Sequence, residues 1–226
     1  MAKRHFHDEL HDLEIKMLAM GGDVQAQVGL ALKGLIEDES HLFSKVVEGD
    51  DLIDTYYLEI ERTVVDLFAL QTPVASDLRL LTVLLHINLH LERVADMAVN
   101  MAKIGALAEE LPRNDSVLTH LQEMGGIALK MIGATMDAFA RRDLDLCLEL
   151  PRMDDPIDRL NRGMLQEVLA ISDDKRLLEW GIRMHVVSRQ IERIGDHAVD
   201  IAEQVAYLIT GEFREFTDAS HPQGAD

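Results

Sequence analysis

The chain has 226 residues, and 22 Lys and Arg face 41 Asp and Glu, for a formal charge of −19 at pH 7. Its 47% apolar and 28% charged residues exclude a wholly disordered chain. The negative charge argues against nucleic acid and against an anionic membrane surface as primary partner, because both are bound through Lys and Arg.

Few aromatics (4%), with 14 Gly and 5 Pro, favour helices over a sandwich or barrel. A single cysteine, Cys147, allows no internal disulfide and fits a reducing compartment. The stretch from Met1 to Asp12 lacks the apolar core of a signal peptide. Leu78 to Leu91 is the most apolar run, but Arg79, His86, Asn88 and His90 interrupt it, short of a membrane span. The expectation is a soluble cytoplasmic protein.

Apolar positions at 10, 13, 17, 18, 24, 28, 32, 35 and 36 predict a first helix over 7–36. A short helix over 39–47 is expected next. Asp50 and Asp51 then read as caps of a helix running to Leu70, since an Asp side chain accepts from free first-turn N–H groups. Pro73 and Ser76 mark the start of a long helix over 75–108. The pattern recurs at 116–141, 143–149, 155–172 and 174–210, with Pro156 at a first turn after an Asp155 cap and Gly211 as the stop. The tail from Thr217 reads as disordered.

The recurrence is an internal repeat. With an offset of 104, Met20-Gly21-Gly22 falls on Met124-Gly125-Gly126, and Asp50, Asp51, Ile53 and Asp54 fall on Asp154, Asp155, Ile157 and Asp158. With an offset of 100, Glu92-Arg93 falls on Glu192-Arg193 and Asp96 on Asp196. The fold expected is all-α: two tandem three-helix bundles, at 1–110 and 111–212, with a flexible tail at 213–226. Each bundle is thin, so burial of its apolar surface against the other or against a second subunit is expected. Helices 75–108 and 174–210, apolar almost all round, read as central.

Acid placement carries the chemistry. Asp50 and Asp54, Glu92 and Asp96, Asp154 and Asp158, and Glu192 and Asp196 are each four apart, hence on one helix face. Asp200 adds a turn to the last set, where the first unit has Asn100. Like charges at this spacing repel, and on a mostly buried helix they also lose hydration. A hard or borderline cation held by oxygen ligands would neutralise them. Pairing to Arg93 or Arg193 is the competing solution. His86 and His90 have zinc-site spacing but no HExxH partner, and read as core or interface residues, whereas His185 shares the acidic face. Met97, Met101, Met131, Met136 and Cys147 read as core. The paired glycines read as close-packing or kink positions. There is no phosphate-cradling glycine loop, no GxSxG elbow and no Glu-x-x-His of di-iron bundles, so no enzymatic activity is expected.

Ile191-Glu192-Arg193-Ile194-Gly195-Asp196-His197-Ala198, with Asp200-Ile201-Ala202-Glu203 after it, resembles the LERIGDHA…NIAE signature of the PhoU family. Leu91-Glu92-Arg93-Val94-Ala95-Asp96 is a weaker copy, and Thr72-Pro73-Val74-Ala75-Ser76-Asp77-Leu78-Arg79 is similar to the family's QPVAxDLR helix start. Phe6-His7-Asp8-Glu9-Leu10 and the cluster from Asp50 to Asp54 fit as well. The resemblance implies a homodimeric, metal-binding negative regulator of phosphate uptake. Its partners would be the ATPase of the phosphate ABC transporter and a phosphate-sensing histidine kinase, with no membrane insertion of its own. The metal would be iron, zinc or manganese, held by residues drawn from Asp50, Asp54, Glu92, Asp96, Asp154, Asp158, Glu192, Asp196 and Asp200. Asn100, and Val94-Ala95 in place of Ile-Gly, leave the first site weaker or empty. A general helical scaffold and a metal-storage or oxidase bundle are the alternative readings.

Overall fold

In the computed structural model, described for residues 2–71 and 73–216 with side chains from Phe6 onward, six helices follow one another: α1 (Ala2–Ile36), α2 (His41–Leu70), α3 (Ala75–Ala108), α4 (Asp115–Arg141), α5 (Leu144–Ala170) and α6 (Lys175–Thr210). No strand occurs among the described residues. The tail from Thr217 and the position of Thr72 lie outside them. The chain divides into two compact units, Met1–Glu109 and Glu110–Asp226. Within each, every helix packs on the other two. This is the expected pair of three-helix bundles.

Within its own unit, each of the helices read as central, 75–108 and 174–210, packs on both of the others, as every helix of a three-helix unit does. In a three-helix unit each helix buries one stripe and keeps one face in water. α3 buries Leu84, Ile87, Leu91 and Met101, yet leaves Leu78 and Leu107 exposed. Met97, Met101, Met131, Met136 and Cys147 are core residues as expected. Burial pushes the Cys147 thiol up to about 11, so it stays protonated.

The short helices do not exist as separate elements. α2 runs unbroken through Gly49, Asp50 and Asp51 because Val46, Ile53, Ile60, Val64 and Leu67 form one buried stripe that spans them. Asp50 and Asp51 are therefore mid-helix residues, not caps. α5 likewise runs through Pro151 and Pro156, so Asp155 caps nothing. A proline costs about 3 kcal/mol in a bare helix interior. Here the stripe of Cys147, Leu150, Ile157, Met164 and Val168 is buried on both sides of the prolines and outweighs that cost. The caps that do form are Asn114 to the amide of Val117, Asp143 to that of Leu146, and Asp174 to those of Arg176 and Leu177. Gly211, at φ 76°, ends α6 in the left-handed region as expected.

The second glycine of each repeated pair makes no close contact, and close packing on glycine backbone occurs elsewhere. A Cβ at Gly22 or Gly126 would meet nothing within 4 Å, whereas one at Gly34 or Gly105 would overlap the Phe43 ring. Phe43 thus packs on bare backbone of both α1 and α3.

Candidate metal centres

Continuity of α2 and α5 puts each acid pair in mid-helix, opposite the pair on the third helix of the same unit. In the first unit the charges of Asp54, Asp50 and Asp96 all reach Glu92, and those of Asp54 and Asp96 reach Asp50. Burial is the larger cause for both, and holds both carboxyls above the ordinary range. In the second unit the charge of Asp158 reaches Glu192, and those of Glu192, Asp158 and Asp200 reach Asp196. Burial first, then those three acids, push Asp196 up to about 6, with His197 opposing. Asp154 lines one cavity with Asp196 and Asp200. The nine acids picked out by spacing therefore assemble as four on one unit and five on the other.

Each centre rests on a buried polar layer one turn away. Ser188 donates to Asn161 Oδ1 at 3.1 Å, joining α6 to α5. At the equivalent place Asn88 Nδ2 donates to the Tyr57 carbonyl at 2.9 Å, joining α3 to α2. This layer lies between His185 and the acids, so His185 is not drawn into the centre its helical face suggested. His86 is exposed and His90 half-buried, so neither is a core residue of its bundle.

The donor set fits a cation. Glu192 Oε1 accepts from Arg189 Nη1 at 2.6 Å, while Oε2 is buried with no hydrogen-bond partner. Glu92 Oε2 is buried in the same way, with Arg93 Nε at 3.5 Å as an ion-pair contact. A buried carboxylate oxygen without a donor is costly unless something positive approaches it. The competing arginine solution is only partial. Arg93 lies along its own helix, 3.7 Å from Asp96. Arg193 is exposed.

The two centres differ in ways that spacing did not reveal. A Cβ at Gly195 would overlap Asp154 Oδ1, so the α5 carboxylate packs against bare α6 backbone. The first unit has Ala95 there, and Asp50 Oδ1 instead receives a long 3.5 Å hydrogen bond from Gln27 Nε2 of α1. Lys103 acts on Asp50, whereas its second-unit counterpart is Glu203, which lines the cavity with Asp196 and Asp200. Gln27, Lys103 and Glu203 were not picked out as site residues. Glu203 could have been, since it continues the stripe of Asp196 and Asp200 at i+7 and i+3.

The model of the PhoU domain matches residues 17–105 and again 121–205. The chain belongs to the PhoU family. The Phosphate-specific transport system accessory protein PhoU homolog of Pseudomonas aeruginosa is 35% identical over 219 residues, covering 96% of this chain and 88% of that protein. The PhoU protein of Escherichia coli is 29% identical over 208 residues, covering 92% and 86%. Among solved structures, PhoU from Pseudomonas aeruginosa superposes with a TM-score of 0.87 at 35% identity, over 92% of this chain and 100% of that one. The phosphate transport system regulatory protein PhoU from Streptococcus pneumoniae gives 0.83 at 26%, over 92% and 99%. The double PhoU match coincides with the repeat, and each match contains the acid pair of its middle helix and that of its third.

Proposed function

We propose that this PhoU-family chain is a non-enzymatic, metal-binding negative regulator of the phosphate-starvation response. It works with the phosphate ABC transporter's ATPase and the phosphate-sensing histidine kinase. Membership of the family carries the regulatory part, supported by relatives named for the phosphate-specific transport system along nearly the whole chain. No described helix is long and apolar enough to cross a membrane, so contact with a transporter would run through the partner's own subunits. Exposed Leu58, Val65 and Leu70 along α2 offer apolar surface to such a partner or to a second copy in a homodimer.

The buried, donorless Glu192 Oε2 amid four further carboxylates carries the metal part. All-oxygen donors suit a hard or borderline cation, iron, manganese or zinc being the ions the family resemblance implies, and such an ion would supply positive charge that fixes α5 against α6, and α2 against α3. Glu192, Asp196, Asp154, Asp158 and Asp200 would hold it in the second unit, and Asp50, Asp54, Glu92 and Asp96 in the first. No reaction is assigned to it.

A deletion strain grown in high phosphate tests the regulatory reading through alkaline phosphatase output. High output, returned to repression by the intact gene, is the expected result; unchanged output would refute it. Elemental analysis of untagged protein, beside a variant carrying Asp96→Ala and Asp196→Ala, tests the metal reading. Metal in the parent and its loss from the variant are expected, and a metal-free parent would refute it.

A further inference from the structure

Beyond α6 the chain doubles back. The left-handed Gly211 turns it, and Thr210 Oγ1 accepts from the Glu212 amide at 3.2 Å. Phe213 then packs edge-to-face on Tyr207, with ring centroids 6.1 Å apart. Three residues later the Phe216 amide donates to Glu203 Oε1 at 2.6 Å. Residues 212–216 therefore run along the last two turns of α6 toward the acids. Phe216 and Glu203 line, with Asp154, Asp196 and Asp200, a cavity of about 250 Å³. At ~30 Å³ per water this has room for a cation with part of its hydration shell. The first unit is built otherwise: α3 passes directly into the connection 109–114 to α4, and Lys103 stands in the place of Glu203.

We propose that Glu203 is a further oxygen ligand of the second centre, and that residues 212–216 are a strap coupled to the metal, the Phe216 amide fixing one carboxylate oxygen so that the other serves a divalent cation. The proposal rests on the metal reading above. Its physical basis is charge. The strap brings Glu215 close enough for its charge to act on Glu203, where Asp200 already acts. Closing it without a cation gathers negative charge; closing it over one does not. Cation binding therefore favours the closed strap, and by linkage the closed strap favours the bound cation by the same factor. Phe216 also lines the cavity, on the side of the strap.

The test uses full-length protein carrying Asp50→Asn and Asp96→Asn to silence the first centre, with Mn²⁺ as the probe. Hydrogen exchange at the Phe216 amide, read by fragment-resolved mass spectrometry, is expected to slow about tenfold when Mn²⁺ is added, a typical coupling. Phe216→Pro, which removes the donor, is expected to weaken Mn²⁺ affinity about tenfold in calorimetry, by the same coupling. Glu203→Gln keeps an acceptor for the amide, so it should retain the metal-free protection of Phe216 while weakening Mn²⁺ binding. Mn²⁺ that binds without altering exchange at Phe216, or binds Phe216→Pro with the parent affinity, overturns the strap alone. Failure of Mn²⁺, Fe²⁺ and Zn²⁺ to bind at all overturns the strap and the metal reading together.

Discussion

Gly195→Ala separates the stability of the second unit from the geometry of its centre. The new Cβ would overlap Asp154 Oδ1 and stand 3.2 Å from Asp154 Cγ and 3.4 Å from Ile157 Cδ1. The clashing atom is the end of a side chain, so the carboxylate can swing aside. An off-rotamer displacement costs about 0.5–1.5 kcal/mol. Against it, replacing glycine by alanine in a helix interior gains about 1 kcal/mol. The net change in unfolding free energy of the metal-free protein is therefore within about 1 kcal/mol of zero, from these two opposing terms. Gly126→Ala, with nothing near its Cβ, collects the helix gain alone and should stabilise by up to ~1 kcal/mol. Asp154, however, no longer sits against α6. Displacement of a metal-site carboxylate or of its support lowers affinity about 10–100-fold. Urea unfolding of both variants gives the stability terms, and Mn²⁺ calorimetry in the Asp50→Asn, Asp96→Asn background gives the affinity. A Gly195→Ala protein as stabilised as Gly126→Ala, with parental Mn²⁺ affinity, would refute the reasoning.

Three further outcomes follow from the same structure. Asp196 titrates at about 6 in the folded protein against 3.8 for the ordinary group, so the folded state binds its proton more tightly. That stabilisation is complete below pH 3.8 and is lost as pH rises through 6, hence metal-free protein should melt higher at pH 5 than at pH 7. The outer side of Asp196 is solvent-exposed, and screening reduces the effect to about 1 kcal/mol. Asp196→Asn should flatten the profile; an identical profile would refute the assignment. Gly105→Ala drives a Cβ into the rigid Phe43 ring and to 2.9 Å from Leu35 Cδ2, so it should destabilise by about 1–3 kcal/mol in urea unfolding. Ser188→Ala removes the buried hydroxyl shared between Asn161 Oδ1 at 3.1 Å and the His185 carbonyl at 2.8 Å and should cost about 1–3 kcal/mol, with m unchanged.

Much of this architecture is legible in the sequence because long amphipathic helices announce themselves by period. Four of the six helices begin and end within a few residues of where the apolar pattern puts them. The acid pairs are legible for the same reason, since i, i+4 spacing fixes a shared face. Local signals misled at α2 and α5. Asp50-Asp51 and Asp155-Pro156 are good helix starts in isolation, but tertiary burial of Val46 with Ile53, and of Leu150 with Ile157, overrides them. Nothing local to Phe216 betrays its hydrogen bond to Glu203, thirteen residues earlier, because the turn at Gly211 decides that contact. The reason for Gly195 is likewise invisible until Asp154 of another helix is placed beside it.

The acids repeat between the units, as does the arginine that follows each glutamate and acts on it, Arg93 on Glu92 and Arg193 on Glu192, but the close ion pairs do not. Glu92 meets Arg93, but Glu192 meets Arg189, whose first-unit counterpart is Leu89. Asp158 meets Arg162, where the first unit has Leu58. Had the acids served to anchor particular arginines, the close ion pairs would recur with them. A cation supplied from outside lets the surrounding side chains differ while the carboxylates stay. The differences also rank the two centres. Lys103 and Gln27 supply the first with positive charge and a donor, and Asn100 removes a carboxylate. Asp200 and Glu203 add two carboxylates to the second. Each added anionic ligand strengthens attraction for a divalent ion. In a Mn²⁺ titration of the parent chain the second centre should therefore fill first. Asp50→Asn with Asp96→Asn should remove the weaker phase, and Asp154→Asn with Asp196→Asn the tighter one. The reverse assignment would refute the ranking, and with it the argument that Lys103 and Glu203 set how strongly each unit draws its ion.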